Sequence, residues 1–161
     1  MRIIPNILTL FNLFLGCVIT LLLIEGNLPM ESISLLILIA LFFDFMDGLI
    51  ARKFNLESKL GAPLDSLADL ISFGLVPGII MYNLFLEVSS DPYLPLLGFT
   101  ITLASAYRLA NFNLSKNNDN YFKGLPTPAN TVFILSLMLI IELPNIDSFI
   151  KEIFFDNNFL I

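Results

Sequence analysis

Four aspartates stand at helical spacing inside strongly apolar stretches of the sequence. Asp44 and Asp47 are separated by i, i+3, and Asp65 and Asp69 by i, i+4, so each pair lies on one face of its own helix. A carboxylate inside a membrane is costly and normally faces a cavity or a partner. A loop of about a dozen residues joins the two segments, which predicts antiparallel neighbours with all four carboxylates together.

Such a cluster would attract hard divalent cations. The sequence holds no histidine, and an all-oxygen ligand set suits Mg²⁺, Mn²⁺ or Ca²⁺ rather than zinc or copper. Arg52 and Lys53 follow the first pair and offset part of the negative charge. Because Mg²⁺ commonly binds through a few carboxylates plus substrate phosphates, a basic loop beside this cluster indicates a phosphorylated substrate.

Two other interpretations of the aspartates remain open. Single acidic residues at the ends of membrane spans are often only solvated at the interface. The four could also form a relay in an ion-translocating bundle. A relay explains Asp44 and Asp47, but it explains neither the small residues Gly48 and Ala51 on the same face nor the basic loop.

The composition places these helices in a membrane. Of 161 residues, 57% are hydrophobic and 14% charged, with a mean hydropathy of +0.85, whereas soluble domains carry about 25% charge. The net charge of −6, without a basic stripe, argues against nucleic-acid binding. The single cysteine, Cys17, excludes an internal disulfide framework, and the lack of histidine excludes the usual zinc sites.

The apolar runs predict an all-α, polytopic membrane bundle forming one domain over residues 1–161. A span needs about 20 mostly apolar residues. We interpret the first run as a retained span, because no small-x-small cleavage site precedes Glu25. Residues 144–161 carry four charges and form no convincing sixth span; they could be an interfacial helix, or the chain could stop early. The five predicted spans are 7–24, 33–50, about 64–84, about 94–110 and about 129–143.

Charge asymmetry predicts the orientation of this bundle. Seven of the eight basic residues fall on one side of the five-span arrangement, and lysine and arginine are retained in the cytoplasm. The N-terminus and the aspartate cluster should therefore be cytoplasmic. The basic residues on this side are Arg2, Arg52, Lys53, Lys59, Arg108, Lys116 and Lys123, whereas Lys151 shares the other side with Glu25, Glu31, Glu87, Asp91, Glu142 and Asp147.

The aspartates belong to a longer pattern that resembles the signature of the CDP-alcohol phosphotransferases. The pattern Asp44-x2-Asp47-Gly48-x2-Ala51-Arg52-x8-Gly61-x3-Asp65-x3-Asp69 fits that signature without a gap. Within the family, four flanking segments are most similar to the membrane-embedded phosphatidylserine synthases of bacteria and archaea. They are 5–9 (PNILT), 65–74 (DSLADLISFG), 107–113 (YRLANFN) and 124–128 (GLPTP).

The resemblance implies transfer of a phosphatidyl group from CDP-diacylglycerol to L-serine, giving phosphatidylserine and CMP. It implies two divalent cations, Mg²⁺ or Mn²⁺, held by the four aspartates, with Asp69 as the general base. Ca²⁺ would also suit the oxygen ligands. Two cations would stabilise the attacking and leaving oxygens, and a base must deprotonate the serine hydroxyl. The residues assigned to the CDP-lipid are Gly48, Ala51, Arg52, Ser58 and Gly61.

Recognition of serine is assigned to residues outside the signature. Arg108 ends the fourth predicted span and would bind the serine carboxylate, with Asn111 or Asn6 nearby. Arg108 could equally be an anchor whose side chain reaches lipid phosphates. Asn12, a polar residue inside the first span, is expected to bond another helix rather than substrate.

Alternatives to this activity remain. Glycerol 3-phosphate or inositol phosphate could replace serine as the acceptor, although both would favour an additional basic cluster. A cation- or proton-coupled transporter is the rival from a different class. The resemblance also implies a homodimer and at least six transmembrane helices, one more than the five predicted here.

Overall fold

The chain is a bundle of helices in a computed structural model that describes residues 3–56, 58–88, 90–114 and 124–142. These residues contain no strand, so the predicted all-α fold is confirmed. The elements in chain order are α1 (Ile3–Glu25), α2 (Met30–Lys53), α3 (Gly61–Asp69), a π-helical turn (Leu70–Leu75), α4 (Val76–Val88), a 3₁₀ helix (Leu94–Phe99), α5 (Thr100–Leu114) and α6 (Thr127–Glu142).

α1 and α2 form an antiparallel hairpin. Gly26 follows α1 with a φ of +65°, a left-handed conformation that glycine adopts without strain, and its N–H donates to the Leu22 carbonyl at 3.1 Å. Pro29 is extended and precedes the first turn of α2. The start of α1, the end of α2 and the start of α3 therefore lie at the same end of the bundle.

α3, the π-helical turn and α4 run without a break from Gly61 to Val88. Pro77 has no N–H, so it cannot supply the usual helical hydrogen bond to the Phe73 carbonyl. The Thr131 hydroxyl of α6 donates to that carbonyl at 3.1 Å, and Thr102 of α5 donates to the Gly74 carbonyl at 2.9 Å. Hydroxyls from neighbouring helices thus satisfy the backbone of the turn directly after Asp69, as membrane helices require.

The core lies in the half of the bundle away from the aspartates. Ile19, Ile37, Phe73 and Ile80 are almost completely buried where α1, α2 and the π-turn–α4 helix meet. Large apolar side chains on the outside are extensively exposed instead, which suits contact with lipid tails rather than water. The chain is therefore a membrane protein. Examples of these exposed residues are Phe14, Leu21, Leu103 and Phe133.

The helices occur where spans were predicted, with different lengths. Within the part of the chain that the structure describes, three helices are long and apolar enough to cross a membrane: Ile3–Glu25, Met30–Lys53 and the continuous Gly61–Val88. The fourth predicted span begins with the 3₁₀ helix and continues as α5, and the fifth corresponds to α6, which is shorter. The count of five spans remains a prediction. The tail at 144–161, Arg2, Lys116 and Lys123 lie outside the described residues.

We expect the substitution Gly98→Ala to destabilise the bundle. A Cβ at Gly98 would lie 2.6 Å from the Tyr82 nitrogen and 2.7 Å from the Gly78 carbonyl oxygen, so backbone would have to move. Such overpacking typically costs about 1–3 kcal/mol. The measurement is the thermal unfolding midpoint of the detergent-solubilised protein. Gly48→Ala is the matched control, because its Cβ would meet only the Arg52 side chain, at 3.7 Å. Equal midpoints for the two variants would contradict the close approach.

Candidate functional site

The structure brings the acidic residues of α2 and α3 together at one end of the bundle. Oxygens of Asp44, Asp47 and Asp65 all lie within 4.8 Å of one another. Oxygens bound to one Mg²⁺ or Ca²⁺ lie about 2.0–2.6 Å from the ion, so pairs of ligands fall within about twice that distance. Asp47 is buried and the other two are half-buried. This carboxylate triad can therefore bind a metal ion.

Asp69 lies beside the triad but is not one of its three members. It lines the same cavity and interacts electrostatically with Asp44 and Asp65. Its Oδ2 accepts a hydrogen bond from the Thr127 hydroxyl at 3.2 Å. Its Oδ1 is completely buried, and its carboxyl group lies within hydrogen-bonding reach of the Asp44 carboxyl. One oxygen of Asp69 is thus oriented by α6, and the carboxyl group is held next to Asp44.

Side chains of α1 hold the two aspartates of α2. The Thr9 hydroxyl donates to Asp47 Oδ2, and the Asn12 amide donates to Asp44 Oδ1 at 3.4 Å. Both α1 residues are buried. The prediction that Asn12 bonds another helix agrees with this contact. Sequence reasoning did not assign Thr9, Asn12 or Thr127 to the site; the signal available for the first two was a pair of polar residues at i, i+3 on one face of an apolar helix.

A cavity of about 570 Å³ opens beside the acidic residues. Its volume lies within the roughly 300–1,000 Å³ typical of sites for drug-sized ligands. All four aspartates line it, together with Asn6, Thr9, Phe45 and Phe112, of which only Asn6 was a sequence candidate. The five residues assigned to the CDP-lipid also line it: Gly48, Ala51, Arg52, Ser58 and Gly61.

Local backbone structure shapes the cavity wall near the basic residue. The exposed Arg52 side chain turns back along α2, where its Nε donates to the Gly48 carbonyl at 3.1 Å. Ser58 Oγ accepts the Gly61 N–H at 2.9 Å, which satisfies the first N–H group of α3. Gly48 leaves the helix backbone open on this side, so a ligand can approach it closely.

The structure separates the three residues assigned to serine. Asn6 lines the large cavity, whereas Arg108 lines a second cavity of about 240 Å³ between α5 and α6. Asn111 is exposed near the end of α5 and is among the lining residues of neither cavity. Arg108 nevertheless interacts electrostatically with Asp69, which places a cation beside the acidic cluster.

The chain is similar over most of its length to proteins of known activity. A family profile described as CDP-alcohol phosphatidyltransferase matches residues 2–157. A CDP-diacylglycerol–serine O-phosphatidyltransferase of Bacillus subtilis is 34% identical over 129 residues, which cover 80% of this chain and 71% of that protein. An archaetidylserine synthase of Methanothermobacter thermautotrophicus is 36% identical over 138 residues, covering 84% of this chain and 57% of that protein.

A eukaryotic relative is similar over a comparable region. A CDP-diacylglycerol–serine O-phosphatidyltransferase of Saccharomyces cerevisiae is 35% identical over 130 residues, covering 75% of this chain and 43% of that protein. The chain thus spans about half the length of the archaeal and yeast relatives. No solved structure matches it significantly.

Removing one carboxylate of the triad should weaken metal binding. We expect Asp65→Asn to raise the dissociation constant for Mn²⁺ by more than about tenfold, since even loss of a residue that only supports a ligand costs 10–100-fold. Isothermal titration calorimetry of the detergent-solubilised protein measures the dissociation constant for Mn²⁺. Asp91→Asn makes the same chemical change in an exposed loop and serves as the control. Equal affinities in the two variants would exclude the triad as a metal site.

Proposed function

Because this chain belongs to the CDP-alcohol phosphatidyltransferase family, we propose that it transfers a phosphatidyl group from CDP-diacylglycerol to L-serine, giving phosphatidylserine and CMP. The observation that carries the proposal is the carboxylate triad beside a cavity lined by the small and basic residues of the signature. The names of the bacterial and yeast relatives support serine as the acceptor and CDP-diacylglycerol as the donor.

The four aspartates would together hold two divalent cations, Mg²⁺ or Mn²⁺. The triad of Asp44, Asp47 and Asp65 offers one compact set of oxygens, and Asp69 adds a carboxylate next to it. Ca²⁺ also prefers oxygen ligands and could bind in the same place. When bound, such cations neutralise the diphosphate and stabilise the attacking and leaving oxygens.

The CDP moiety would lie in the large cavity against α2. Gly48 and Ala51 present no bulk, so the diphosphate can approach the helix backbone. Arg52 would add charge-assisted hydrogen bonds to phosphate oxygens. Ser58 Oγ already accepts the Gly61 N–H, which leaves its own O–H free to donate to the nucleotide. Gly61 has no side chain that would crowd Ser58, since a Cβ at this position would lie 3.2 Å from Ser58 Oγ.

Asp69 would act as the general base. It removes the proton from the serine hydroxyl while the serine oxygen attacks the phosphorus that carries the diacylglycerol. A new P–O bond forms, the P–O bond to CMP breaks, and CMP leaves with the electron pair. Two observations support this assignment: Asp69 lies outside the triad, and the hydrogen bond from Thr127 orients its carboxylate.

Arg108 would bind the serine carboxylate. Its guanidinium can form two parallel hydrogen bonds to a carboxylate, and its electrostatic interaction with Asp69 supports a position on the side of the base. Asn6, on the wall of the large cavity, and Asn111, one turn beyond Arg108, are the other candidates from the sequence.

The remaining assignments concern the whole protein. A single transmembrane domain over residues 1–161 is supported by a family match over residues 2–157. A cytoplasmic site and N-terminus are supported by Arg52, Lys53, Lys59 and Arg108, which lie at the same end of the bundle as the aspartates. A homodimer follows from family resemblance alone.

The proposed reaction predicts acceptor-dependent release of CMP. Purified protein is incubated with CDP-diacylglycerol, Mg²⁺ or Mn²⁺, and one acceptor at a time: L-serine, glycerol 3-phosphate or inositol phosphate. We expect CMP with serine alone, and loss of release by a factor of at least about 100 in Asp69→Asn, because that variant has no base. CMP with another acceptor would reassign the substrate. No CMP with any acceptor would favour a transporter.

Replacing Arg108 should weaken the use of serine selectively. We expect Arg108→Ala to raise KM for serine by at least about tenfold, with a smaller increase for Arg108→Lys, since lysine keeps the charge but loses the paired hydrogen bonds. Initial rates at saturating CDP-diacylglycerol give these values. An unchanged KM for serine in both variants would contradict this role and would favour the alternative, in which Arg108 contacts lipid phosphates.

A further inference from the structure

Asn12 of α1 contacts both of the segments that carry the aspartates. Its side-chain amide donates to Asp44 Oδ1 on α2 at 3.4 Å, and its backbone carbonyl accepts the Ser72 hydroxyl at 3.1 Å. Ser72 lies in the π-helical turn, three residues after Asp69. Gly16 permits this close approach of α1 to the turn, because a Cβ at that position would overlap Ser72 Oγ. One residue of α1 thus joins α2 to the helix that bears Asp69.

Asp44 lies between the carboxylate triad and Asp69. One of its oxygens is within 4.8 Å of oxygens of Asp47 and Asp65. Its carboxyl group also lies within hydrogen-bonding reach of Asp69. A rotation of the Asp44 side chain would therefore displace oxygens from the triad and from Asp69 together. The Asn12 amide donates to this carboxylate and so limits that rotation.

The burial of Asn12 indicates a role other than packing. The residue is completely buried, and its Oδ1 accepts no hydrogen bond from the residues that the structure describes. A buried polar atom without a partner costs free energy that an apolar side chain at the same position does not. Packing of α1 against its neighbours alone would therefore favour an apolar residue here.

We infer that Asn12 is a positioning residue for the metal cluster, an inference that rests on the cation binding of the proposed function. Its amide fixes the rotamer of Asp44, so that the oxygens of the triad and of Asp69 are in place before a cation binds. Asn12 is not among the described residues that line the large cavity, so it acts through Asp44 rather than on a substrate. Contacts of this kind, one step removed from the metal, typically change metal affinity 10–100-fold.

The substitution Asn12→Leu tests this role, because leucine keeps the branching of the side chain and removes its polar atoms. We expect the dissociation constant for Mn²⁺ to rise at least about tenfold. Titrations of the detergent-solubilised protein, followed by the EPR signal of free Mn²⁺, measure this constant. The thermal unfolding midpoint without metal is measured alongside. A residue that only joins helices would lower this midpoint and leave Mn²⁺ affinity unchanged, which would overturn the inference.

Thr20→Val is the matched control. Thr20 is two turns beyond Asn12 on the same face of α1, about 12 Å along the helix. Its Oγ1 is also buried and has no hydrogen-bond partner among the described residues. The variant therefore removes a buried polar atom away from the aspartates, and we expect the Mn²⁺ affinity of the unmodified protein. Equal affinities in Thr20→Val and Asn12→Leu would contradict a specific role for Asn12.

Asn12→Ser provides a second measurement, should leucine prevent folding. The serine side chain is too short to reach Asp44, but its hydroxyl can donate to a carbonyl in the preceding turn of α1. We again expect Mn²⁺ binding to weaken at least about tenfold, and an unchanged affinity would refute the positioning role.

The outcomes separate this role from the proposed reaction. Weaker Mn²⁺ binding in the Asn12 variants, without CMP release from the unmodified protein, would support the positioning role and refute the transfer to serine. CMP release with serine, together with equal Mn²⁺ affinities in all variants, would refute the positioning role alone. An unmodified protein that binds no Mn²⁺ would overturn both.

Discussion

The crowding of four carboxylates at one end of an apolar bundle is the constraint on which the structure depends. Ionised groups a few ångströms apart repel strongly where water is scarce. This repulsion would push α2 and α3 apart if no other contacts held them. Packing of Ile37, Phe73 and Ile80 in the opposite half of the bundle holds the helices together. The same packing keeps the oxygens of Asp44, Asp47 and Asp65 close enough to share a cation. The apolar packing that stabilises the fold thus lies in one half of the bundle, and the carboxylate cluster lies in the other.

The irregular helix between Gly61 and Val88 links these halves. Pro77 interrupts its hydrogen-bond ladder, and a π-helical turn follows Asp69 directly. π-turns inside helices often accompany functional sites. Here hydroxyls from α5 and α6 bind the carbonyls of Phe73 and Gly74, which fixes the turn against its neighbours. The orientation of Asp69 relative to α2 therefore depends in part on Thr102 of α5 and Thr131 of α6.

A second layer of polar side chains surrounds the carboxylates. Thr9 and Asn12 of α1 donate to the aspartates of α2, and Thr127 of α6 donates to Asp69. Each donor stabilises an ionised carboxylate and restricts its rotamers, which leaves the remaining oxygens for other ligands. The donors come from α1 and α6, and Thr127, which donates to Asp69, also lines the small cavity.

The sequence alone determined the membrane class, the helical fold and the acidic face of α2. These features depend on local composition and on the 3.6-residue period, which a single helix expresses without its neighbours. The i, i+3 and i, i+4 spacings also predicted which aspartates lie together, because an antiparallel hairpin leaves few other arrangements.

Contacts between helices that are distant in the sequence could not be predicted from the sequence of each helix. Three contacts depend on how α1, α5 and α6 are rotated about their axes. Thr9 bonds Asp47, and Thr127 bonds Asp69. Arg108 lines a different cavity from Asn6. Packing of the whole bundle sets those rotations, since small residues and interhelical hydrogen bonds decide which faces meet. The carboxylates could thus be found from the sequence, whereas their donors and the two separate cavities were decided only by the tertiary structure.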